Sequence, residues 1–244
     1  MHACLSFGQR LAINIMAATN SAPTIVFDLD GTLVDTAPDL VDTLNTILAR
    51  EGLPPVPFER ARSMIGGGAR TLIERGLRAD GRPGIAAEVD RLYTDFVAHY
   101  GDHLADRSQP FPGAIAAIEQ LAARGCRFAV CTNKLEWLSV RLLEALGISG
   151  HFAAICGQDT FGVQKPHPQI LLQTIRKAGG NSGRAVMVGD SITDIEVARA
   201  AKVPVIAVDF GYTETPVSAL EPDVVIGDFG KLPAAVDKLF GFNS

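Results

Sequence analysis

Short apolar runs that do not alternate with polar residues recur along this chain. "TIVFD", "CRFAVCTN", "FAAICGQD", "RAVMVGDS", "VPVIAVDF" and "PDVVIGD" read as strands, each bounded by Gly, Asp or Asn. Between them, "PGAIAAIEQLAARG", "LEWLSVRLLEALG", "PQILLQTIRKAGG" and "DIEVARAAK" carry apolar residues at helical spacing, and several of these stretches close on a glycine suited to a left-handed helix cap. A strand with one wet face would alternate apolar and polar residues. These do not, so both faces of the sheet are covered, which requires parallel strands with helices on either side. The expected fold is α/β, a doubly wound parallel sheet.

One block breaks the rhythm. From Pro38 to Ser108 no strand-like run occurs, and "PDLVDTLNTILAREG", "FERARSMIG", "GARTLIERGL" and "AAEVDRLYTDFVAHYG" have the spacing of helices, separated by the turn-rich "EGLPPVP" and "DGRPG". The chain is therefore expected to divide into an N-terminal extension at 1–22, a core domain from 23–36 and 109–244, and an inserted α-helical cap domain at 37–108. Ligands of open parallel sheets bind beyond the carboxyl ends of the strands. An insertion leaving from that edge lies over the site as a lid.

The bulk properties exclude several classes of function. With 27 acids against 22 Lys plus Arg, the net charge of -5 provides no global field for nucleic acid or anionic lipid. No window holds the roughly 18 apolar residues of a membrane span. Cys4, Cys126, Cys131 and Cys156 show no paired spacing and suit a reducing, cytoplasmic setting. The opening "MHACLSFGQRLAINIMAATNSAP" makes a poor secretory signal, and Met16 is an alternative start that would leave a disordered extension before it. Monomer and homodimer both stay open.

The strand ends list the candidates for chemistry. The first run ends in Asp28 and Asp30, "RFAVCTN" in Thr132 and Asn133, and "AVMVGDS" in Gly189, Asp190 and Ser191, while Lys165 leaves the loop "GVQKPHP" ahead of a helix. Carboxylates, a hydroxyl, backbone amides and one ammonium at one sheet edge suit a phosphate with a divalent metal. Phosphoryl transfer needs an in-line nucleophile, cations on the phosphoryl oxygens and a proton donor for the leaving oxygen. A hard cation such as Mg²⁺, held by Asp28 and Asp190, removes the repulsion between an attacking carboxylate and a phosphate. In an extended Asp28-Leu29-Asp30 segment the two acids share a face, and Gly31 lets the chain turn past the phosphate. Thr132 and Lys165 are placed to hold the phosphoryl oxygens.

"DLDGTLVDT", "CTNK", "KPHP" and "GDSITD" resemble the four ordered motifs of the haloacid dehalogenase superfamily of phosphohydrolases. The helical block resembles that family's C1 cap, and "GLPP", "GGGARTLIERGL", "TNKLEWLSVRLLEALGI" and "GVQKPHPQILLQTI" are similar to its bacterial phosphoglycolate phosphatases. The resemblance covers about 23–240. It implies that Asp28 is the nucleophile of an aspartyl-phosphate, and that Asp30 first protonates the leaving alkoxide and then activates water. It implies phosphate binding by Thr132, Asn133 and Lys165, and Mg²⁺ binding by the Asp28 side chain, the Asp30 carbonyl and Asp190. Asp194 matches the second acid of the last motif and orients Lys165 or a metal-bound water. The implied substrate is a small phosphate ester, 2-phosphoglycolate foremost.

Other readings compete. Acids before glycine also favour turns, Thr132 also suits a helix N-cap, Lys165 also suits solvent, and Asp194 also suits the first turn of a helix. His99 and His103 have the i, i+4 spacing of metal ligands, but Gly101 and an expected helix end between them argue against that role. The run Gly66 to Gly68 lacks a preceding strand and is read as a cap hinge, a substrate loop or a plain turn, not a dinucleotide site. Arg70 beside Gly68 is a candidate fork for a substrate carboxylate, or a surface arginine. Within the resembling family, a dehalogenase has no use for Asp30, and a phosphonate hydrolase needs a cap lysine, whereas the first lysine here is Lys134. Phosphomutase, sugar phosphatase, pyrophosphatase and nucleotidase chemistry stay open, as does a non-catalytic phosphate-binding module.

Overall fold

The computed structural model describes residues 23–213 and 215–241. The expectations for the N-terminal extension, Cys4 and Met16 included, lie outside the described residues. Six parallel strands form the main sheet: β1 (Thr24–Phe27), β4 (Arg127–Cys131), β5 (Ala154–Cys156), β6 (Ala185–Gly189), β7 (Val205–Val208) and β8 (Val224–Ile226). Their order is β5-β4-β1-β6-β7-β8. From β1 the chain fills one side of the sheet with β4 and β5, then crosses to the other side for β6. This reversal beside β1 is the position at which open parallel sheets bind ligands.

The sheet is buried on both faces, as the unalternating runs require. Ile25, Phe27, Phe128, Val130, Val186 and Val188 face one apolar cluster, which includes residues of α5 (Ala114–Ala122), α6 (Glu136–Ala145) and α9 (Leu232–Phe240). Val26, Ala129, Cys131 and Met187 face the other, beneath α7 (Pro168–Lys177) and α8 (Ile192–Ala201). Cys126, Cys131 and Cys156 are buried free thiols. Among the described residues, no helix is long and apolar enough to cross a membrane.

Between β1 and β4 the chain builds four helices: α1 (Ala37–Arg50), α2 (Phe58–Arg62), α3 (Gly68–Ala79) and α4 (Ala86–Asp102). Two short strands that the sequence reading does not anticipate, β2 (Val34–Asp35) and β3 (Gln109–Pro110), pair antiparallel where the insertion leaves and returns. Asp39 reinforces this stem, accepting hydrogen bonds from the Arg107 and Ser108 backbone N–H groups and from the Ser108 hydroxyl. Leu44, Leu72, Leu92 and Phe96 of the insertion join the same apolar cluster as one face of the sheet. The insertion is therefore seated on the core rather than projecting from it.

The helix end expected between His99 and His103 falls at Asp102, with His103 as the cap, so α4 carries through Gly101. Gly101 serves close approach: a Cβ at this position would lie 3.0 Å from Trp137. His99 and His103 stack with ring centroids 4.5 Å apart.

Candidate active site

Asp28 is the first residue after β1. It continues the alternation of Val26, which places it on the side of the sheet that carries α7 and α8. Lys165 precedes α7, Asp190 follows β6, and Asp194 lies in the first turn of α8. Three segments distant in sequence thus meet at one sheet edge. Asp28, Asp190 and Asp194 each present a carboxylate oxygen within 4.8 Å of the other two. Lys165 is 1% exposed; its Nζ stands 2.6 Å from Asp194 Oδ1 and 2.8 Å from Asp28 Oδ1.

The three carboxylates are not equivalent. Asp194 is fully engaged, with Oδ1 on Lys165 and Oδ2 accepting from the Ser191 N–H at 3.1 Å and the Ser191 hydroxyl at 2.6 Å. The helix-start and lysine-orienting readings of Asp194 are therefore compatible in one geometry. Asp190 accepts one hydrogen bond per oxygen, from Thr32 Oγ1 and from the Tyr212 N–H, each at 2.8 Å. Asp28 is different. Lys165 approaches its Oδ1 off the direction of a hydrogen bond, and that buried oxygen has no aligned donor. An oxygen so placed stands ready for a cation or an electrophile.

Charge balance explains the proton affinities. Three buried carboxylates face one ammonium. Burial, aided by Asp194 and Asp190 and opposed by Lys165, raises the Asp28 pKa to about 8. Burial and Asp194 likewise raise Asp190 to about 6. Burial works against the Lys165 charge, yet Asp194 and Asp28 outweigh it and hold the lysine above its ordinary value. Every one of these shifts favours bound protons, as a site with surplus negative charge must.

Glycine makes the closeness possible. Gly31 has φ +86, and a Cβ there would lie 2.7 Å from Asp190 Oδ2. The backbone following Asp30 therefore passes directly against the Asp190 carboxylate. At Gly211 a Cβ would come within 2.1 Å of the Asp190 Cβ, which again leaves room for nothing but glycine.

The second acid faces a different neighbourhood. Asp30 Oδ1 accepts from Thr36 Oγ1 at 2.7 Å and lies 2.9 Å from Lys134 Nζ. Lys134 is buried, donates to Tyr100 Oη at 3.1 Å and sits 4.4 Å from the centre of the Tyr100 ring. Burial works against its charge, but Asp30 and Tyr100 keep its pKa raised. Sequence reading gives this lysine no place in the site, although "CTNK" contains it. The same is true of Tyr100, Thr32 and Thr36, whose partners lie far away or across a turn.

Thr132 and Asn133 sit at the end of β4. The Thr132 hydroxyl accepts from the Lys134 N–H at 3.2 Å, while the helix that follows begins only after Leu135. The Asn133 amide is committed to the Lys165 backbone, accepting from its N–H at 2.9 Å and donating to its carbonyl at 3.3 Å. Its side chain therefore fixes the lysine loop.

Asp28, Asp30, Thr132, Asn133 and Lys134 open into a cavity closed by the insertion through Leu40, Gly68, Leu72, Phe96 and Tyr100. Gly68, at φ +83, begins α3, and a Cβ there would stand 3.0 Å from the Asn133 carbonyl oxygen. The Gly66–Gly68 turn thus brings the insertion against the core at the site. Arg70 is elsewhere. Its side chain is 49% exposed and pairs with Asp90 at 2.6 Å, beside an outer groove rather than this cavity.

Residues 25–208 match the family of haloacid dehalogenase-like hydrolases. A phosphoglycolate phosphatase of Mesorhizobium japonicum is 52% identical over 212 residues, 87% of this chain and 93% of that protein. One from Agrobacterium fabrum is 49% identical over 227 residues, 92% of this chain and 97% of that protein. Among solved structures, a predicted phosphoglycolate phosphatase from Haemophilus somnus superposes with a TM-score of 0.81 at 30% identity, covering 87% of this chain and 97% of its own.

Proposed function

The chain belongs to the haloacid dehalogenase-like hydrolases, and from that premise we propose that it is a Mg²⁺-dependent phosphatase for small phosphate esters, 2-phosphoglycolate foremost. The observation that carries this reading is the buried Asp28 Oδ1 without an aligned donor, set among Asp190, Asp194 and Lys165. Relatives at 52% and 49% identity named phosphoglycolate phosphatase support the substrate. Residues 37–108 act as the cap that closes over it.

A carboxylate oxygen of Asp28 attacks phosphorus as the bond from phosphorus to the ester oxygen breaks, giving an aspartyl-phosphate and an alkoxide. Asp30 gives its proton to that alkoxide, which leaves as glycolate. In the second half Asp30 takes a proton from water, the water oxygen attacks phosphorus, and the bond to Asp28 breaks to release phosphate. Lys165 and Thr132 hold the phosphoryl oxygens, and Asn133 keeps Lys165 in place through its backbone. Asp194 orients the Lys165 ammonium.

The donor set fits a hard divalent cation, because it is all oxygen, anionic, buried and incompletely hydrogen-bonded at Asp28. The Asp28 and Asp190 carboxylates with the Asp30 carbonyl would hold Mg²⁺, while Asp194 is already saturated by Lys165 and Ser191. When bound, the ion supplies positive charge that offsets repulsion between the Asp28 carboxylate and the phosphoryl group.

The test is hydrolysis of 2-phosphoglycolate, 3-phosphoglycerate, sugar phosphates and pyrophosphate with Mg²⁺, by the wild type and Asp28→Asn. Turnover strongest on 2-phosphoglycolate and abolished in Asp28→Asn, with phosphate still bound, supports the reading. Comparable rates on every ester would remove the substrate assignment. A wild type inert towards all of them would leave a phosphate-binding module in place of an enzyme.

A further inference from the structure

We propose that Lys134 is the residue that reads the carboxylate of the substrate, with Tyr100 of the insertion steadying it. This deepens the phosphatase reading above and rests on it. If Asp28 faces phosphorus and Asp30 faces the leaving oxygen, whatever the leaving oxygen carries must extend beyond Asp30. Lys134 Nζ stands there, 2.9 Å from Asp30 Oδ1. The cavity is also lined by Leu40, Leu72, Phe96 and Leu138, which offer an anionic tail nothing, and by Tyr93 and Gln158, which are polar but uncharged. A carboxylate in such surroundings needs a paired cation. Among the described residues, Lys134 is the one lysine, arginine or histidine lining that cavity, since Arg70 points outward onto Asp90.

The ammonium has capacity for this task. It carries three N–H donors, and its polar partners among the described residues are Asp30 and Tyr100 Oη. Tyr100 also lays its ring against Nζ, 4.4 Å from centroid to nitrogen, which fixes the lysine without neutralising it. The spacing selects short acids. An ester oxygen and a carboxylate on the adjacent carbon can be held at once by Asp30 and Lys134, whose contacting atoms are 2.9 Å apart. Tyr100 belongs to α4 and Lys134 to the core, so the reading head is complete only with the insertion seated.

The experiment compares 2-phosphoglycolate with ethyl phosphate, an ester of equal length without the carboxylate, on the wild type, Lys134→Met and Tyr100→Phe. The readout is the ratio of kcat/KM between the two esters, in which any common loss from disturbing Asp30 cancels. Losing one partner of a desolvated charge pair should lower that ratio about a hundredfold in Lys134→Met. Losing one neutral hydrogen bond should lower it about fivefold in Tyr100→Phe, a variant that keeps the buried ring and serves if Lys134→Met does not fold. An unchanged ratio in a folded variant overturns the proposal, as does a wild type that hydrolyses both esters equally well, and in either case the phosphatase reading survives. A wild type without activity on any phosphate ester would instead remove that reading.

Discussion

Lys165 Nζ and Asp194 Oδ1 lie 2.6 Å apart with both side chains out of solvent. Asp194 also holds Ser191 at the start of α8. The two tasks separate by substitution. Asp194→Asn keeps an acceptor for Ser191 but removes the charge facing Lys165, so kcat should fall while the protein stays folded. Asp194→Ala removes both, and breaking a buried pair should lower unfolding free energy by about 3 kcal/mol, measured by urea denaturation. Equal stability of Asp194→Ala and the wild type would count against the pair.

The acid cluster makes a pH prediction whose sign is unusual for carboxylates. The folded-state pKa of Asp28 is raised from 3.8 to about 8 and that of Asp190 from 3.8 to about 6. Between the ordinary and raised values, the folded protein binds more protons than the unfolded chain, so stability contributed by these groups is lost as pH rises. Protein stripped with EDTA should show a falling Tm between about pH 5 and pH 8. A cation that balances the carboxylates should raise Tm more at the upper end, through preferential binding to the folded state. Asp28→Asn should flatten the decline. A stripped wild type whose pH profile of Tm coincides with that of Asp28→Asn would refute the assignment.

Most of the sheet is legible in the sequence because a strand buried on both faces must be continuously apolar, as "RFAVC" and "AVMVG" are. The helical insertion is legible for a similar reason of spacing. What escapes is determined by partners far away. Nothing local in "TLVDT" or "RSQPF" announces that Val34 pairs with Pro110, because two-residue strands carry no period. The helix end just after Gly101 is legible, but the approach of Trp137 from another helix, 3.0 Å from a Cβ at Gly101, is not. Lys134 enters the sequence reading only as the first lysine of the chain, and the packing of Tyr100 across the cavity is what reveals it as a buried cation of the site.

Arg70 illustrates how the fold redirects an expectation. Its side chain is 49% exposed, forms an ion pair with Asp90 and lies 5.3 Å from the centre of the Tyr93 ring. Exposed pairs contribute about 0–1 kcal/mol. Arg70→Ala should therefore shift Tm little and should change kcat/KM for 2-phosphoglycolate less than about threefold. A selective loss on carboxylated esters, measured beside ethyl phosphate, would return Arg70 to the specificity account.

Gly31→Ala tests the geometry on which both halves of the site depend. At φ +86 any L side chain is strained, at a cost on the order of 1–2 kcal/mol. The added methyl would also stand 2.7 Å from Asp190 Oδ2 and from Tyr212 Cδ2, so a carboxylate or a ring must move. Tyr212 is poorly free to do so, because its hydroxyl donates to Asp35 at 2.6 Å and accepts from the Ala37 N–H at 3.0 Å. The displacement falls on Asp190, whose Oδ2 is held by the Tyr212 N–H. The variant should be destabilised and should also need far more Mg²⁺ for half-maximal activity, whereas strain alone would lower Tm without moving the Mg²⁺ requirement. A Mg²⁺ titration at a temperature where the variant is fully folded separates these outcomes. An unaltered half-saturation point would show that Asp190 keeps its place and that the close passage of the chain beside it is not what assembles the cation site.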